Sequence, residues 1–228
     1  MNKIPALCAS ILEQNIDIQL VTETWLSSSR EKVTFSEFKS SLSRYQIFSC
    51  PRFNRKGGGV AAMVRDGLDV HVHKRELTFT SFELLDLSVS LRPQSLRLLV
   101  IYRPPSSSKA GATFSKFLAE FADLLETVLF SAGRFIILGD FNIHVDNKSC
   151  SDAQHFLDLT DSLNLTQHVQ VPTHIKGHTL DLVLTRTFEI PSLKLQVLDT
   201  PPSDHHLLCF DTDLAKPAPA KITRSSRS

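Results

Sequence analysis

The stretch FIILGDFN, at residues 135–142, joins four consecutive apolar residues to a Gly-Asp-Phe-Asn turn. A continuously apolar run of this length is typical of a strand that other elements cover on both faces. Gly139 and Asp140 then place a flexible residue and a carboxylate at the point where this strand ends. Strand ends are where a rigid sheet holds polar side chains in place, so the stretch predicts both a central strand and a functional site.

The flanking sequence alternates between helical and strand patterns. Residues 114–129 keep their large apolar side chains on one helical face, and Gly133 is suited to the end of that helix. Further helices are predicted from Ile4 to about Asn15, near residues 35–38 and over 152–163. The pattern indicates an α/β layered domain with at least one large, mixed sheet. Strands are predicted at 16–21, 60–64, 85–91, 96–102, 166–169, 180–184, 193–198 and 207–211.

Length and charge limit the possible functions. With 228 residues the chain is long enough for one compact domain, and its 15 Phe against one Trp and two Tyr indicate a core built largely with Phe. The formal net charge is +1, so no overall positive field attracts nucleic acid. DNA binding would therefore depend on local patches and would be weak and sensitive to salt.

Several classes of protein are excluded. The four cysteines, at positions 8, 50, 150 and 209, form no C-x-x-C pair, which argues against a cysteine zinc site and a disulfide framework. No apolar run is long enough to cross a bilayer, and the N-terminal residues lack the pattern of a secretion signal. We expect an intracellular protein, nuclear or cytoplasmic, without a membrane partner.

Polar side chains recur where the predicted strands begin or end. Each of them alone is common as a surface residue or a turn former, and Asp181 is the hardest to dismiss because it interrupts an apolar stretch. Carboxylates brought together in this way repel one another unless a cation intervenes, so their convergence would indicate a hard divalent metal ion. The set comprises Glu23, Tyr102, Asp140, Asn142, Asp181, Asp204 and His205.

Five short motifs, taken in their order along the chain, resemble those of the endonuclease/exonuclease/phosphatase superfamily. Gly-Asp-Phe-Asn and the Ser-Asp-His at 203–205 are specific when both occur at this separation. The wording Glu-Thr-Trp-Leu at 23–26, Tyr-Arg-Pro-Pro at 102–105 and Leu-Asp-Leu-Val at 180–183 is similar to the endonucleases of LINE-type (non-LTR) retrotransposons. The resemblance covers nearly the whole chain and implies an α/β fold, a four-layer α/β/β/α sandwich with two mixed β-sheets.

The resemblance also implies a mechanism, the metal-dependent hydrolysis of a phosphodiester that nicks DNA. His205 looks like the general base that takes a proton from the attacking water, and Asp181 looks like its orienting partner. Glu23, with Asp204, would hold Mg²⁺, or Mn²⁺ in its place, to neutralise the charge that develops on the phosphate.

The remaining roles concern the substrate. Asp140 would lie near the nucleophilic water or the leaving group, and Asn142 and Tyr102 would hydrogen-bond the scissile phosphate. Arg103 and the basic loop 52–56 are candidates for contacts with the DNA backbone, although an ordinary solvated loop explains the basic residues equally well.

The sequence departs from the family at its N-terminal end. LINE-type members begin with a strand whose Asn helps to bind the metal or the phosphate, upstream of an Asn-Lys pair that Asn2-Lys3 resembles. We therefore expect the domain, at residues 1–213, to lack the first strand, and residues 214–228 to form a disordered tail or linker. Two interpretations stay open: a fragment of an active polyprotein with a reverse transcriptase region, or a decayed copy that cuts slowly.

Two other functions are compatible with these motifs. A phosphatase or a sphingomyelinase-like hydrolase of the same fold shares Gly-Asp-Phe-Asn and Ser-Asp-His, but the Tyr-Arg-Pro-Pro wording argues against it. A non-catalytic module that binds nucleic acid or protein is the third hypothesis. The acidic and histidine positions are retained from Glu23 onward, which argues against long decay.

Overall fold

The computed structural model describes residues 4–26, 31–52, 57–74, 78–91, 94–105, 112–189, 193–198 and 203–212. The tail expected at 214–228 and residues 53–56 of the basic loop lie outside the described residues. The helices are α1 (Ile4–Glu13), α2 (Glu31–Ser41), α3 (Phe114–Leu129) and α4 (Ser151–Ser162). The strands are β1 (Ile18–Thr22), β2 (Tyr45–Cys50), β3 (Val60–Arg65), β4 (Asp69–Val72), β5 (Glu83–Leu91), β6 (Gln94–Tyr102), β7 (Arg134–Asp140), β8 (Leu165–Gln167), β9 (Asp181–Arg186), β10 (Leu195–Leu198) and β11 (Leu207–Phe210).

A six-stranded sheet with the order β4-β5-β6-β7-β9-β8 forms the centre of the molecule. Its β6–β7 pair is parallel and its other pairs are antiparallel, so the predicted large mixed sheet is confirmed. The second β layer consists, among the described strands, of two antiparallel sheets, β1-β3-β2 and β10-β11. The first described element is α1, and no described strand precedes it.

Side-chain alternation along the strands of the large sheet produces two separate cores. Leu99 and Ile101 of β6 face α3 and α4, whereas Leu98 and Val100 face the small sheets. A third cluster packs α1 and α2 against the outer face of β1-β3-β2, around Ile11 and other buried residues. Three cores between four layers make the α/β/β/α sandwich that the motifs implied.

The core under the helices is built from stacked aromatic rings. Phe117 and Phe121 of α3 stack with their centroids 5.5 Å apart, and Phe141 and Phe156 complete the cluster. All four side chains are fully buried. Burial of this kind stabilises a fold by about 1.5–3 kcal/mol per side chain, so this cluster anchors α3 and α4 to the sheet. None of the described helices combines the length and apolarity that crossing a bilayer requires.

The predicted elements appear within a few residues of their expected positions, and two strands were not predicted. The short strand β2 pairs with β3 over the whole of Tyr45–Cys50. The other, β4, has four residues, mostly exposed, and pairs with β5 at the edge of the large sheet. The sequence of β2 lacks a strict apolar alternation, and β4 alternates but is short. Pairing with an existing strand determines both more than burial does.

Candidate active site

The register of the large sheet aligns four polar side chains at one end of successive strands. Glu83 of β5 lies opposite Tyr102 of β6, Tyr102 opposite Asp140 of β7, and Asp140 opposite Asp181 of β9. Neighbours in register point to the same face of a sheet, here the face toward the small sheets. The core of this face ends at the row, because Tyr102 is its last buried member on β6. The row forms the floor of the candidate site.

Gly139 makes the row possible, because the backbones of β6 and β7 approach closely beside it. Its φ is +135°, and a Cβ there would overlap the carbonyl oxygen of Ile101 and lie 2.9 Å from the carbonyl carbon. Any other residue would push β7 away from β6. The glycine of the Gly-Asp-Phe-Asn motif is therefore a requirement of strand packing as well as of the turn.

The turn after β7 holds Asn142 against the row. Asn142 has a φ of +49°, and its backbone N–H donates to Asp140 Oδ1 at 3.0 Å. Its Nδ2 donates to Asp140 Oδ2 at 2.9 Å and to the Arg103 carbonyl at 2.8 Å. The side-chain amide of Asn142 therefore donates both of its hydrogen bonds within the protein, and it fixes the orientation of the Asp140 carboxylate.

Arg103 supports this turn from inside the domain. Its side chain is buried, with 3% of the residue exposed, and Nη1 donates to the carbonyls of Phe141 at 3.1 Å and Asn142 at 3.0 Å. Its guanidinium also lies 5.0 Å from the centroid of the Phe117 ring. This placement argues against the contact with the DNA backbone that the sequence suggested, and favours a role in positioning the turn.

Glu23 reaches the row from the end of β1. Tyr102 donates its hydroxyl hydrogen to Glu23 Oε1. Glu23 and Trp25 have positive φ angles of 51° and 54°, and the Trp25 N–H donates to the Gly58 carbonyl at 2.8 Å. Left-handed backbone at two non-glycine residues is strained and marks functional turns in many proteins.

Glu83 and Arg52 complete the Tyr102 end of the row. Glu83 accepts hydrogen bonds from Arg52 Nε and from the Gly59 N–H, and the Arg52 guanidinium lies 5.5 Å from the centroid of the Tyr102 ring. Burial raises the pKa of Glu83 in spite of these donors, and the charge of Glu23 adds to the rise. Sequence reasoning missed Glu83, because only the strand register shows that it continues the row.

His205 and Asp181 form a hydrogen-bonded pair at the opposite end of the row. The atoms His205 Nδ1 and Asp181 Oδ2 are 2.8 Å apart, and both side chains are largely buried. Thr173, fully buried, accepts the N–H of Asp181 on its hydroxyl at 3.0 Å. With Nδ1 directed at the carboxylate, Nε2 is the ring nitrogen left to exchange a proton with a substrate.

His174 is a second histidine beside this pair, and sequence reasoning also missed it. Its ring makes an edge contact with the His205 ring at 4.9 Å between centroids, and the two residues form an isolated β-bridge. His174 Nε2 lies 3.7 Å from Asp204 Oδ2. The Asp204 side chain is mostly exposed, whereas Glu23 lies with Tyr102 at the other end of the row.

The electrostatics of the row indicate an excess of negative charge. Burial, and then the Asp181 carboxylate, raise the pKa of Asp140 to about 7, against the lowering effects of His205 and the Asn142 N–H. Burial lowers the pKa of His205, but the hydrogen bond to Asp181 and the charges of Asp181, Asp140 and Asp204 outweigh it, and the pKa rises to about 9. Burial and the bond to Glu23 raise the pKa of Tyr102. Each shift keeps a proton in the site.

This donor set fits a hard divalent cation. Asp140, Asp181 and His205 each offer one ligand atom, and these atoms lie within 4.8 Å of one another. The charge of Glu23 raises the pKa of Asp140 as well, so two carboxylates from different sheets act on the same region. A bound cation stabilises buried carboxylates that would otherwise repel one another. Mg²⁺ suits such a site because it prefers oxygen ligands.

The comparison of the sequence with known families matches this geometry. The sequence pattern of the Endonuclease/Exonuclease/phosphatase family matches residues 2–205. The chain belongs to this family. A comparison with curated proteins found no significant match.

Several solved structures share the fold of the chain at low sequence identity. The endonuclease domain of TRAS1, a telomere-specific non-LTR retrotransposon, superposes with a TM-score of 0.70 at 15% identity, over 93% of both chains. The 3'-5' exonuclease NExo from Neisseria meningitidis gives 0.67 at 18% identity, over 92% of this chain and 94% of that one. The human Nocturnin catalytic domain gives 0.60 at 18% identity, over 91% and 86%. The chain therefore shares its fold with phosphoester hydrolases, and the endonuclease domain of a retrotransposon is one of them.

Proposed function

We propose that the chain, over residues 1–213, is a Mg²⁺-dependent phosphodiesterase that nicks DNA. The observation that carries the proposal is the row defined above, in which Tyr102 bonds to Glu23 and Asp181 bonds to His205. It combines a histidine held by a carboxylate with several oxygen ligands in one place. A reverse transcriptase region in the same polyprotein would supply the partner activity.

The proton transfers follow from the hydrogen bonds. The carboxylates around His205 raise its pKa to about 9, and a cation that offsets their charge would free Nε2 of its proton. His205 Nε2 would then accept a proton from the attacking water, while Asp181 holds Nδ1 and stabilises the imidazolium. The oxygen of that water would form a bond to phosphorus as the bond to the leaving sugar oxygen breaks. The leaving oxygen would then take a proton from water.

Mg²⁺ would be held by Glu23 and Asp140. Bound there, it would neutralise charge on the phosphate and relieve the repulsion among the carboxylates. Asp140 replaces Asp204 as the second proposed ligand, because the charge of Glu23 raises the pKa of Asp140 and the two carboxylates therefore act on the same region. Tyr102 and Asn142 would orient these two ligands rather than the phosphate, because their hydroxyl and amide donate to Glu23 and Asp140.

DNA would be contacted by the exposed rim of the site. Trp25 is 65% exposed, directly follows the Glu23 turn, and lies 3.8 Å from the position of a Gly57 Cβ. An exposed ring on a rigid turn can stack on a nucleobase. With a net charge of +1, such local contacts rather than a general field would hold the DNA.

The test is the nicking of supercoiled plasmid with Mg²⁺ by the purified chain. His205→Ala and Asp140→Asn should each reduce the nicking rate by about 10²–10⁴-fold. His155→Ala, at an exposed position of α4, should leave the rate unchanged and serves as the matched control. Nicking that survives both site substitutions, or a folded chain that does not nick at all, would refute the proposal.

A 3'-end processing activity is the second candidate. One similar structure, at a TM-score of 0.66, is that of the 3' phosphatase NExo (D146N) from Neisseria bound to product DNA hairpin. A 3'-phosphorylated DNA hairpin should therefore be offered in parallel with the plasmid. Release of inorganic phosphate from the hairpin without any nicking would favour the phosphatase over the endonuclease.

A further inference from the structure

Three side chains on two neighbouring loops converge outside the candidate active site. His144 and Asp146 lie on the segment 143–147, which follows the Asn142 turn, and His178 lies on the segment 173–179, which precedes β9. Each offers one ligand atom, and the three atoms lie within 4.8 Å of one another. The rings of His144 and His178 meet edge to face, with 4.3 Å between their centroids.

The spacing of these atoms is close to that of ligands around one metal ion. His178 Nδ1 lies 3.1 Å from Asp146 Oδ2. Two ligands of a tetrahedral site with bonds of about 2.0–2.1 Å are separated by about 3.3 Å, so this pair needs little movement to bind one ion. His144 then supplies a third ligand from the same loop as Asp146.

Both loops are held in this arrangement by their own hydrogen bonds. Asp146 Oδ1 accepts the Thr179 N–H at 2.9 Å, which orients the carboxylate and leaves Oδ2 toward His178. The Asn147 N–H donates to the His144 carbonyl at 3.0 Å, and the His174 N–H to the His178 carbonyl at 3.0 Å. A carboxylate oriented by a backbone N–H is the support that metal sites use to fix a ligand.

The ligand chemistry selects a different metal from that of the active site. Two imidazoles and one carboxylate suit Zn²⁺ and similar transition-metal ions, whereas Mg²⁺ prefers oxygen ligands alone. His144 and Asp146 are exposed and His178 is half-buried, so solvent can reach the site and supply a fourth ligand.

We propose that His144, Asp146 and His178 form a second metal site, for Zn²⁺ or a similar transition-metal ion, that links the segments 143–147 and 173–179. The first segment continues from Asn142, and the second carries Thr173, which holds Asp181, and His174, which contacts His205. An ion at this position therefore fixes the two loops on which the row of the active site depends.

The test is Zn²⁺ binding to the tag-free chain, measured by titration calorimetry, with Co²⁺ absorption as a spectroscopic probe of imidazole ligands. His144→Ala removes an exposed ring and should weaken Zn²⁺ binding by at least about tenfold. His178→Ala should do the same, and if that variant does not fold, His144→Ala decides. His155→Ala is the matched control, since His155 is an exposed histidine of α4 and lies outside the cluster.

A second comparison separates this site from the histidines around the active site. His205→Ala should retain Zn²⁺ binding, and the chain should bind with a stoichiometry of one at this site. A further expected result is a rise in the melting temperature with Zn²⁺ that His144→Ala abolishes. Unchanged Zn²⁺ affinity in His144→Ala, or loss of binding in His205→Ala instead, would overturn the proposal.

Discussion

The two faces of the six-stranded sheet are built by the same strands and have opposite characters. On the helix side, Phe117 and its neighbours are fully buried, and a carboxylate at the rim, Glu120, accepts hydrogen bonds from Thr80 and Ser81. On the other side, Asp140 and Asp181 lie next to each other, and the hydrogen-bond donors around Asp140 do not offset the repulsion between the two carboxylates. The pKa of Glu120 is lowered, because those bonds outweigh the effect of burial, and that of Asp140 is raised. Alternation along a strand thus separates an apolar core from a site in which buried carboxylates repel one another.

Substitution of Gly139 should have the largest effect, because this glycine lets β6 and β7 approach for both faces at once. Gly139→Ala places a Cβ against the Ile101 carbonyl in addition to the strain of a positive φ. We expect a loss of about 4 kcal/mol or more in the free energy of unfolding, measured by urea titration.

The matched control for this substitution is Gly133→Ala. Gly133 also has a positive φ, +95°, but a Cβ there meets nothing within 4 Å. Backbone strain alone should reduce the free energy of unfolding by about 1–2 kcal/mol. Equal losses in the two variants would show that the close approach of β6 and β7 is unimportant.

The titration of Asp140 and His205 should make the metal-free protein less stable as pH rises. Asp140 and His205 have folded-state pKa values of about 7 and about 9, above their ordinary values of 3.8 and 6.5. A raised pKa contributes stability that is present below the unfolded value and is lost as pH rises through the folded value. Between about pH 4 and pH 9 we therefore expect a loss of several kcal/mol, measured by urea titrations in a chelator.

Two variants and one addition test the origin of that slope. Asp140→Asn should flatten it, His155→Ala should not, and Mg²⁺ should reduce the loss because it stabilises the ionised carboxylates. A slope that persists in Asp140→Asn and in His205→Ala would place its origin elsewhere in the protein.

The helix-covered face should respond to pH in the opposite direction and by less. Hydrogen bonds from Ser81 and Thr80 lower the pKa of Glu120 in spite of its burial, so its contribution is present above the unfolded pKa and is lost in acid. Glu120→Gln should reduce the free energy of unfolding at pH 7 by about 1–3 kcal/mol, because an amide nitrogen then faces the donors. Glu126→Gln, at an exposed position of the same helix, should change it by less than about 0.5 kcal/mol.

The smallest effect on stability is expected at the exposed rim. Trp25→Ala should change the free energy of unfolding by less than about 0.5 kcal/mol and weaken binding to DNA by about tenfold, as measured by fluorescence anisotropy. Phe130→Ala is the control, since Phe130 is 92% exposed at the end of α3. Equal DNA affinity in the two variants would remove Trp25 from the substrate contacts.

The residues of the site illustrate how far sequence patterns reach. Asp140, Asn142 and Tyr102 were predicted from their positions at strand ends, and the structure brings them together. Glu83 was missed, because it looks like any polar residue at the start of a strand until the register places it beside Tyr102. Arg103 was predicted as a candidate for contacts with the DNA backbone, whereas cation–π contacts and backbone carbonyls hold it inside.

By itself the sequence determined the order of the elements, the apolar strand at 135–138, the Phe-rich face of α3 and the family, because these depend on local periodicity and on motifs that are short in sequence. Only the tertiary structure decided the strand register, and with it the row across β5, β6, β7 and β9. It also decided which loops meet at His144 and His178. Register and loop contacts depend on residues far apart in the chain, and their energies arise only when the sheets pack.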